Sequence, residues 1–336
     1  MIITSSFSPS PLLANRHVQT CIGGLANRYQ ALPDPVITQH EGSGDDFFEV
    51  ATWTPTTPSR GRIVLLHGLE GSLRSGYLRS LVGVITALDC FSLELVFLRG
   101  CGPSINRLPR SYHSGFTDDL RQHLTLGVDP AVLVGFSIGG NIILKYLGEE
   151  GASVDSLVRG AIVISAPGDL EATAAGISAK PLYQRYFISA FHKKHRRKVA
   201  SGIATPPFDD FSGISTFYDY DTRHTAPFFG YPSAEAYWHS NSSSQFISNI
   251  RVPSVILSAL DDPFFSPKSF PVEECRNHDW VDLELSKQGG HVGFLERIVG
   301  NTYAETRILS FIGSFFGINP QLTQQPRANQ AIQREQ

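Results

Sequence analysis

Ala131-Val132-Leu133-Val134-Gly135-Phe136-Ser137-Ile138-Gly139 is the stretch on which the reading of this chain turns. The apolar run Ala131–Val134 reads as a strand buried on both faces, because it does not alternate with polar residues. A helical pattern, Ile138–Leu147, begins directly after Ser137. A serine on so sharp a strand-to-helix turn holds strained backbone, and small residues on either side keep strand and helix from clashing. The turn exposes the hydroxyl at the carboxyl end of a sheet and aims the first helical amides at the reacting centre. The Gly-x-Ser-x-Gly string alone is weak, since composition produces it often. Its place between strand and helix makes Ser137 a candidate nucleophile rather than an incidental serine.

The same rhythm extends to both sides. Ile63–Leu66, Leu93–Leu98, Ala161–Ile164, Ser254–Leu260 and Val281–Leu285 are further apolar runs, bounded by Gly, Pro or Asp or lying just before a glycine pair. Tyr77–Leu88 carries apolar residues at three- and four-residue spacing, and Phe294–Phe316 is a further helix candidate. Strands alternating with helices predict an α/β fold with a mostly parallel, doubly wound sheet and helices on both faces. Phe47–Trp53 alternates weakly and reads as an antiparallel edge strand.

The rhythm breaks once. Residues 168–250 hold no clean buried strand, but they hold helix-like stretches (Tyr183–Phe191, Ala234–Trp238) and many aromatic side chains. A break this long in an α/β pattern reads as a helical cap inserted over the site, with ordinary surface helices as the alternative. The core is then residues 1–167 and 251–318. The tail 319–336 is rich in Gln, Asn and Pro and is expected to fray in solvent.

A serine hydroxyl needs a base within hydrogen-bond reach, and the base needs an orienting carboxylate. On a sheet with such a turn the order along the chain is serine, acid, histidine. Asp261 and Asp262 follow the strand Ser254–Leu260, and His291 follows Val281–Leu285 inside Gly289-Gly290-His291-Val292-Gly293. His278 is the rival base. Asp262, beside Pro263, is expected to point toward the histidine, which leaves Asp261 a structural role; the choice between them stays open. The oxyanion donors are expected to be the backbone N–H of Ile138 and, from His67-Gly68-Leu69-Glu70-Gly71, that of Leu69. His67 reads as a neutral histidine fixing loop geometry.

Composition sets outer bounds. The chain has 336 residues, 41% hydrophobic and 18% charged, with net charge −3, so no basic excess draws nucleic acid. Met1–Ser10 lacks the features of a signal peptide, and no apolar run reaches transmembrane length. The four cysteines form no CxxC pair, which fits reduced thiols in a cytoplasm better than disulfides or zinc. His192-Lys193-Lys194-His195-Arg196-Arg197-Lys198 reads as a solvated helix face, with contact to anionic lipid headgroups through 192–198 as the functional alternative.

With these residues in hand, the sequence resembles the YheT-like family of bacterial α/β-hydrolase esterases, whose eukaryotic relatives include membrane-anchored abhydrolase-domain phospholipases. The matching strings include Asn15-Arg16-His17-Val18-Gln19-Thr20, His67-Gly68-Leu69-Glu70-Gly71-Ser72 and Arg99-Gly100-Cys101. Further along come Asn106–Gly115, Gly135–Lys145, Asp169-Leu170-Glu171, Thr225-Ala226-Pro227, Asp261-Asp262-Pro263-Phe264 and Gly289–Phe294. The resemblance implies the α/β-hydrolase fold and a Ser137, Asp262, His291 triad. It also implies hydrolysis of carboxylic esters, with short- to medium-chain acyl esters or glycerolipids as substrates. No metal or organic cofactor is required. Phe97-Leu98 departs from the Asn-Phe frequent in the family, and integral attachment through an anchor like that of the eukaryotic relatives is not expected. Acyltransferase, thioesterase or amidase chemistry on the same triad is the first alternative, and a non-catalytic lipid-binding protein the second. Asn106–Gly115 has no physical account at this level.

Overall fold

The computed structural model of the chain describes residues 1–25, 32–204, 210–297 and 300–318, so the expected fraying of 319–336 lies outside the described residues. Its frame is a nine-stranded sheet built from β1 (Ile2–Thr4), β2 (Val36–Gly42), β3 (Asp46–Trp53), β4 (Arg62–Leu66), β5 (Ser92–Val96), β6 (Ala131–Phe136), β7 (Val158–Ile164), β8 (Ser254–Ala259) and β9 (Val281–Ser286). The order across the sheet is β1-β9-β8-β7-β6-β4-β5-β3-β2. All neighbours run parallel except β3 against β5 and β2 against β3.

The longer helices are α1 (Arg16–Leu25), α2 (Gly76–Thr86), α3 (Asp118–Thr125), α4 (Ile138–Glu150), α5 (Leu170–Ser178), α6 (Pro181–Ala200), α7 (Ala234–Asn241) and α8 (Tyr303–Phe316). Successive side chains of a strand point to opposite faces, and β6 shows the consequence. Ala131 and Leu133 join one apolar layer with Ile142, Ile143 and Leu147 of α4, while Val132, Val134 and Phe136 join the other with Leu81 of α2 and Ile308 of α8. Both faces of the central strands are therefore covered, which is why these strands read as continuous apolar runs.

Two expectations need correction. Phe47–Trp53 is antiparallel but not an edge: β2 pairs with Asp46–Thr52 and takes the edge position. β2 is mostly exposed and polar, so hydrophobicity does not announce it. The helix expected over Phe294–Phe316 begins only at Tyr303, where Thr302 and Glu305 form a capping box. The residues before it include Phe294, whose φ is +46°.

Between β7 and β8 the described residues form helices and turns, with an apolar cluster of their own that includes Leu170, Ile188, Phe191, Phe217 and Trp238. Among the described residues no helix is long and apolar enough to cross a membrane.

Candidate active site

Ser137 stands between the last residue of β6 and the first of α4, at φ +54° and ψ −123°. Such backbone in a non-glycine residue stores strain of roughly 1–3 kcal/mol, held by its surroundings. The Ser137 amide donates to Ile164 O of β7 at 2.9 Å. The flanking glycines follow from close approach. A Cβ on Gly135 would stand 2.6 Å from the Gly140 Cα, and one on Gly139 2.5 Å from the Leu66 and His67 carbonyl oxygens.

The ends of β8 and β9 bring the other two residues to it. His291 Nε2 lies 2.9 Å from Ser137 Oγ, and its Nδ1 lies 2.7 Å from Asp262 Oδ2. With the serine donating to Nε2, Nδ1 carries the proton and donates to the carboxylate. Asp262 is buried, and its Oδ1 accepts from the Phe264 amide at 2.8 Å. Asp261 turns away: its Oδ1 accepts from the Gly290 amide at 2.9 Å, and burial raises its carboxyl above the usual range. His278, the rival base, lies elsewhere, with Nε2 at 2.9 Å from Ile247 O and Nδ1 accepting from the Trp280 amide.

The histidine loop is strained at Val292 (φ +55°) as well as at Phe294, and it is held by groups that sequence reasoning left without a role. Thr20 Oγ1 accepts from the His291 amide at 2.9 Å. Gln19, fully buried, donates to Leu13 O and Leu295 O and accepts from the Leu295 amide at 2.7 Å. Ser165 Oγ accepts from the Val292 amide at 3.1 Å. The Asn15–Thr20 string was the available signal for α1.

Ser137 and His291 line a cavity of about 800 Å³, part of it open to solvent, together with Leu69 and Ile138. Most of its wall is apolar, including Leu170, Ile177, Phe187, Phe191 and Phe264. In the loop after β4 the Gly68 amide donates to Tyr77 Oη and the Glu70 amide to Tyr112 Oη, which leaves the Leu69 amide between two that are engaged. His67 braces this loop: its Nε2 accepts from the Leu98 amide, its Nδ1 donates to Gly68 O, and burial lowers its imidazole to about 4. Glu70 has φ +53°. Its carboxylate receives Tyr112 Oη at 2.8 Å and Lys194 Nζ at 2.6 Å. Asp221 is the other acid of the wall, and it is buried. It accepts from Thr225 Oγ1 and Trp238 Nε1, and burial raises its carboxyl to about 6.

The Asn106–Gly115 string now has an account. Asn106 Nδ2 donates to Asp46 Oδ2 and Arg110 O, which folds the string onto β3 and onto itself. Lys198 Nζ donates to the carbonyls of Leu108, Pro109 and Arg110, and the Ser114 amide donates to Tyr237 Oη. The basic run 192–198 is thereby split, and it is not a uniformly solvated face. Lys194 and Lys198 point inward, His192 bonds Ile214 O, and Lys193, Arg196 and Arg197 remain exposed.

A model of the alpha/beta hydrolase fold family matches residues 61–298. Over 304 aligned residues the chain is 32% identical to the YheT protein of Escherichia coli (strain K12), which carries the name esterase; the match covers 87% of this chain and 88% of that one. It is 33% identical over 258 residues to a monoacylglycerol lipase of Saccharomyces cerevisiae, covering 72% of this chain and 57% of the lipase. Among solved structures, the Pyrococcus furiosus esterase PF2001 superposes with a TM-score of 0.51 at 13% identity, over 84% of this chain and 90% of that one. At that identity the likeness speaks for the fold alone.

Proposed function

The chain belongs to the α/β-hydrolase fold family, in its YheT-like branch, and from that premise we propose that it is a serine carboxylic-ester hydrolase using Ser137, His291 and Asp262. One observation carries the reading: the unbroken hydrogen-bonded series from Ser137 Oγ through the His291 ring to Asp262, opening on an apolar cavity. Short- to medium-chain acyl esters or glycerolipids are the proposed substrates, because ester sites are mostly apolar with few polar groups. The names of the relatives, esterase and monoacylglycerol lipase, point the same way. In this reading the helices of residues 168–250 are a cap.

The mechanism is two-step acyl transfer. His291 Nε2 takes the Ser137 proton as Oγ bonds to the ester carbonyl carbon. Asp262 holds the imidazole tautomer and stabilises the imidazolium. The Leu69 and Ile138 amides receive the negative charge that develops on the carbonyl oxygen. Collapse of the tetrahedral intermediate breaks the bond to the alcohol, which leaves with the proton from His291. A water then attacks the acyl-enzyme while His291 takes its proton, and the acid departs as Ser137 recovers its own.

The test is labelling by a fluorophosphonate probe together with hydrolysis of nitrophenyl acyl esters of graded chain length. Native protein is expected to label, and Ser137→Ala to lose labelling and to lower kcat by a factor on the order of 10⁴ or more. Native protein that stays unlabelled while a reference serine hydrolase labels would overturn the enzyme reading. An unchanged rate in Ser137→Ala would overturn the site. Adding an alcohol acceptor and analysing the products separates hydrolysis from acyl transfer.

A further inference from the structure

α6 divides its residues between two surroundings. Its inner side gives Phe187, Phe191 and Lys194 to the wall of the cavity that holds Ser137. Its outer side carries Leu182, Arg185, Tyr186, Lys193, Arg196 and Arg197, all exposed and spaced in helical steps that keep them on one face. The helix contains no Asp or Glu. Among the described residues Arg185, Lys193, Arg196 and Arg197 make no recorded ion pair, whereas Lys194 on the inner side is paired with Glu70. Asp210, an acid close to His195, is itself paired with Arg223 at 3.7 Å.

We propose that this outer face docks the protein on an anionic lipid surface. Cations alone would suit any polyanion, and the apolar residues decide among polyanions. Leu182 is 82% exposed and Tyr186 69%, on the same face as the four cations. A nucleic-acid backbone offers such side chains nothing, while the boundary between headgroups and acyl chains accepts a leucine, an amphipathic ring and flanking arginines together. Leu12, on the turn before α1, is a further exposed apolar side chain at 84%, and α1 meets the start of α6 through the 3.0 Å contact of His17 with Tyr183. A helix of this length lies about 30 Å along the surface, with its inner side on the cavity. An acyl ester leaving the lipid layer then has one helix to pass. That use rests on the esterase reading; the docking does not.

Sedimentation of the full chain with vesicles tests it, comparing phosphatidylcholine alone with phosphatidylcholine containing phosphatidylglycerol. The native protein is expected to bind the anionic vesicles and to release at high salt. The fourfold variant R185Q/K193Q/R196Q/R197Q is expected to lose about tenfold or more in that binding. The variant L182S/Y186S is expected to weaken it as well, which charge alone would not explain. Both variants should keep native melting and native hydrolysis of a soluble nitrophenyl ester, so that lost docking is distinguished from lost folding or lost chemistry. No binding of native protein to anionic vesicles overturns the proposal. So does binding that L182S/Y186S leaves unchanged and that a DNA duplex matches, which would assign the face to polyanions in general.

Discussion

Asp261 and Asp262 are neighbours in sequence with different partners in space, and that difference sets a first prediction. Asp262→Asn removes the acceptor that fixes the His291 tautomer and is expected to lower kcat by about 10⁴. Asp261→Ala removes the acceptor of the Gly290 amide. It is expected to cost about 1 kcal/mol of stability and to keep activity within about tenfold of native. Ester kinetics and thermal denaturation of the pair check both. His67 sets a second. Burial holds its imidazole near 4 in the folded protein, while the unfolded chain takes up the proton near 6.5. The unfolded state therefore binds more protons between these values, and stability falls as pH drops from about 6.5 to about 4, by up to about 3 kcal/mol. His67→Gln should flatten that part of the profile in urea unfolding measured across pH. The candidate serine, histidine and aspartate were legible because turn chemistry and strand ends are local. The division between the two aspartates rested on one proline, and the structure ties it to the Gly290 amide.

At the scale of elements, α6 and the loop after β4 depend on one another. Lys194 reaches from α6 to Glu70, whose amide and carboxylate both engage Tyr112, one residue beyond the proposed oxyanion donor Leu69. Lys194→Met leaves a half-buried carboxylate without its cation and is expected to destabilise the protein by about 1–3 kcal/mol. With Glu70 then held by Tyr112 but not by a cation, the position of the neighbouring Leu69 amide is less firmly fixed, and kcat is expected to fall about tenfold or more while KM changes less. The double variant with Glu70→Gln should recover part of the stability, since no unpaired charge remains, and kinetics with denaturation of the three proteins read the two effects apart. None of this was legible in the basic run 192–198. Only the turn of the helix decides which of its cations face inward. Likewise β2 escaped the sequence because it lies outside β3 with little buried surface.

Across the whole molecule, the helices of 168–250 and the sheet are joined at α4. Asn141, fully buried, donates to Ser114 O and Asn241 O and accepts from the Ser243 amide. Asn141→Ala strands those three groups and is expected to cost about 3 kcal/mol. Hydrogen exchange should show the loss of protection concentrated in 234–250 rather than in β6 and β7. By itself the sequence determined the mostly parallel sheet, the serine turn and the order of the candidate serine, acid and histidine. Each is written in periodicity or in a few adjacent residues, and the backbone answers to such signals locally. The tertiary structure alone decided what holds the histidine loop, what Asn106–Gly115 does and which face of α6 meets solvent. Those answers are hydrogen bonds and ion pairs between distant residues, Gln19 with Leu295 and Lys194 with Glu70, and no local pattern encodes a partner that only folding brings within reach.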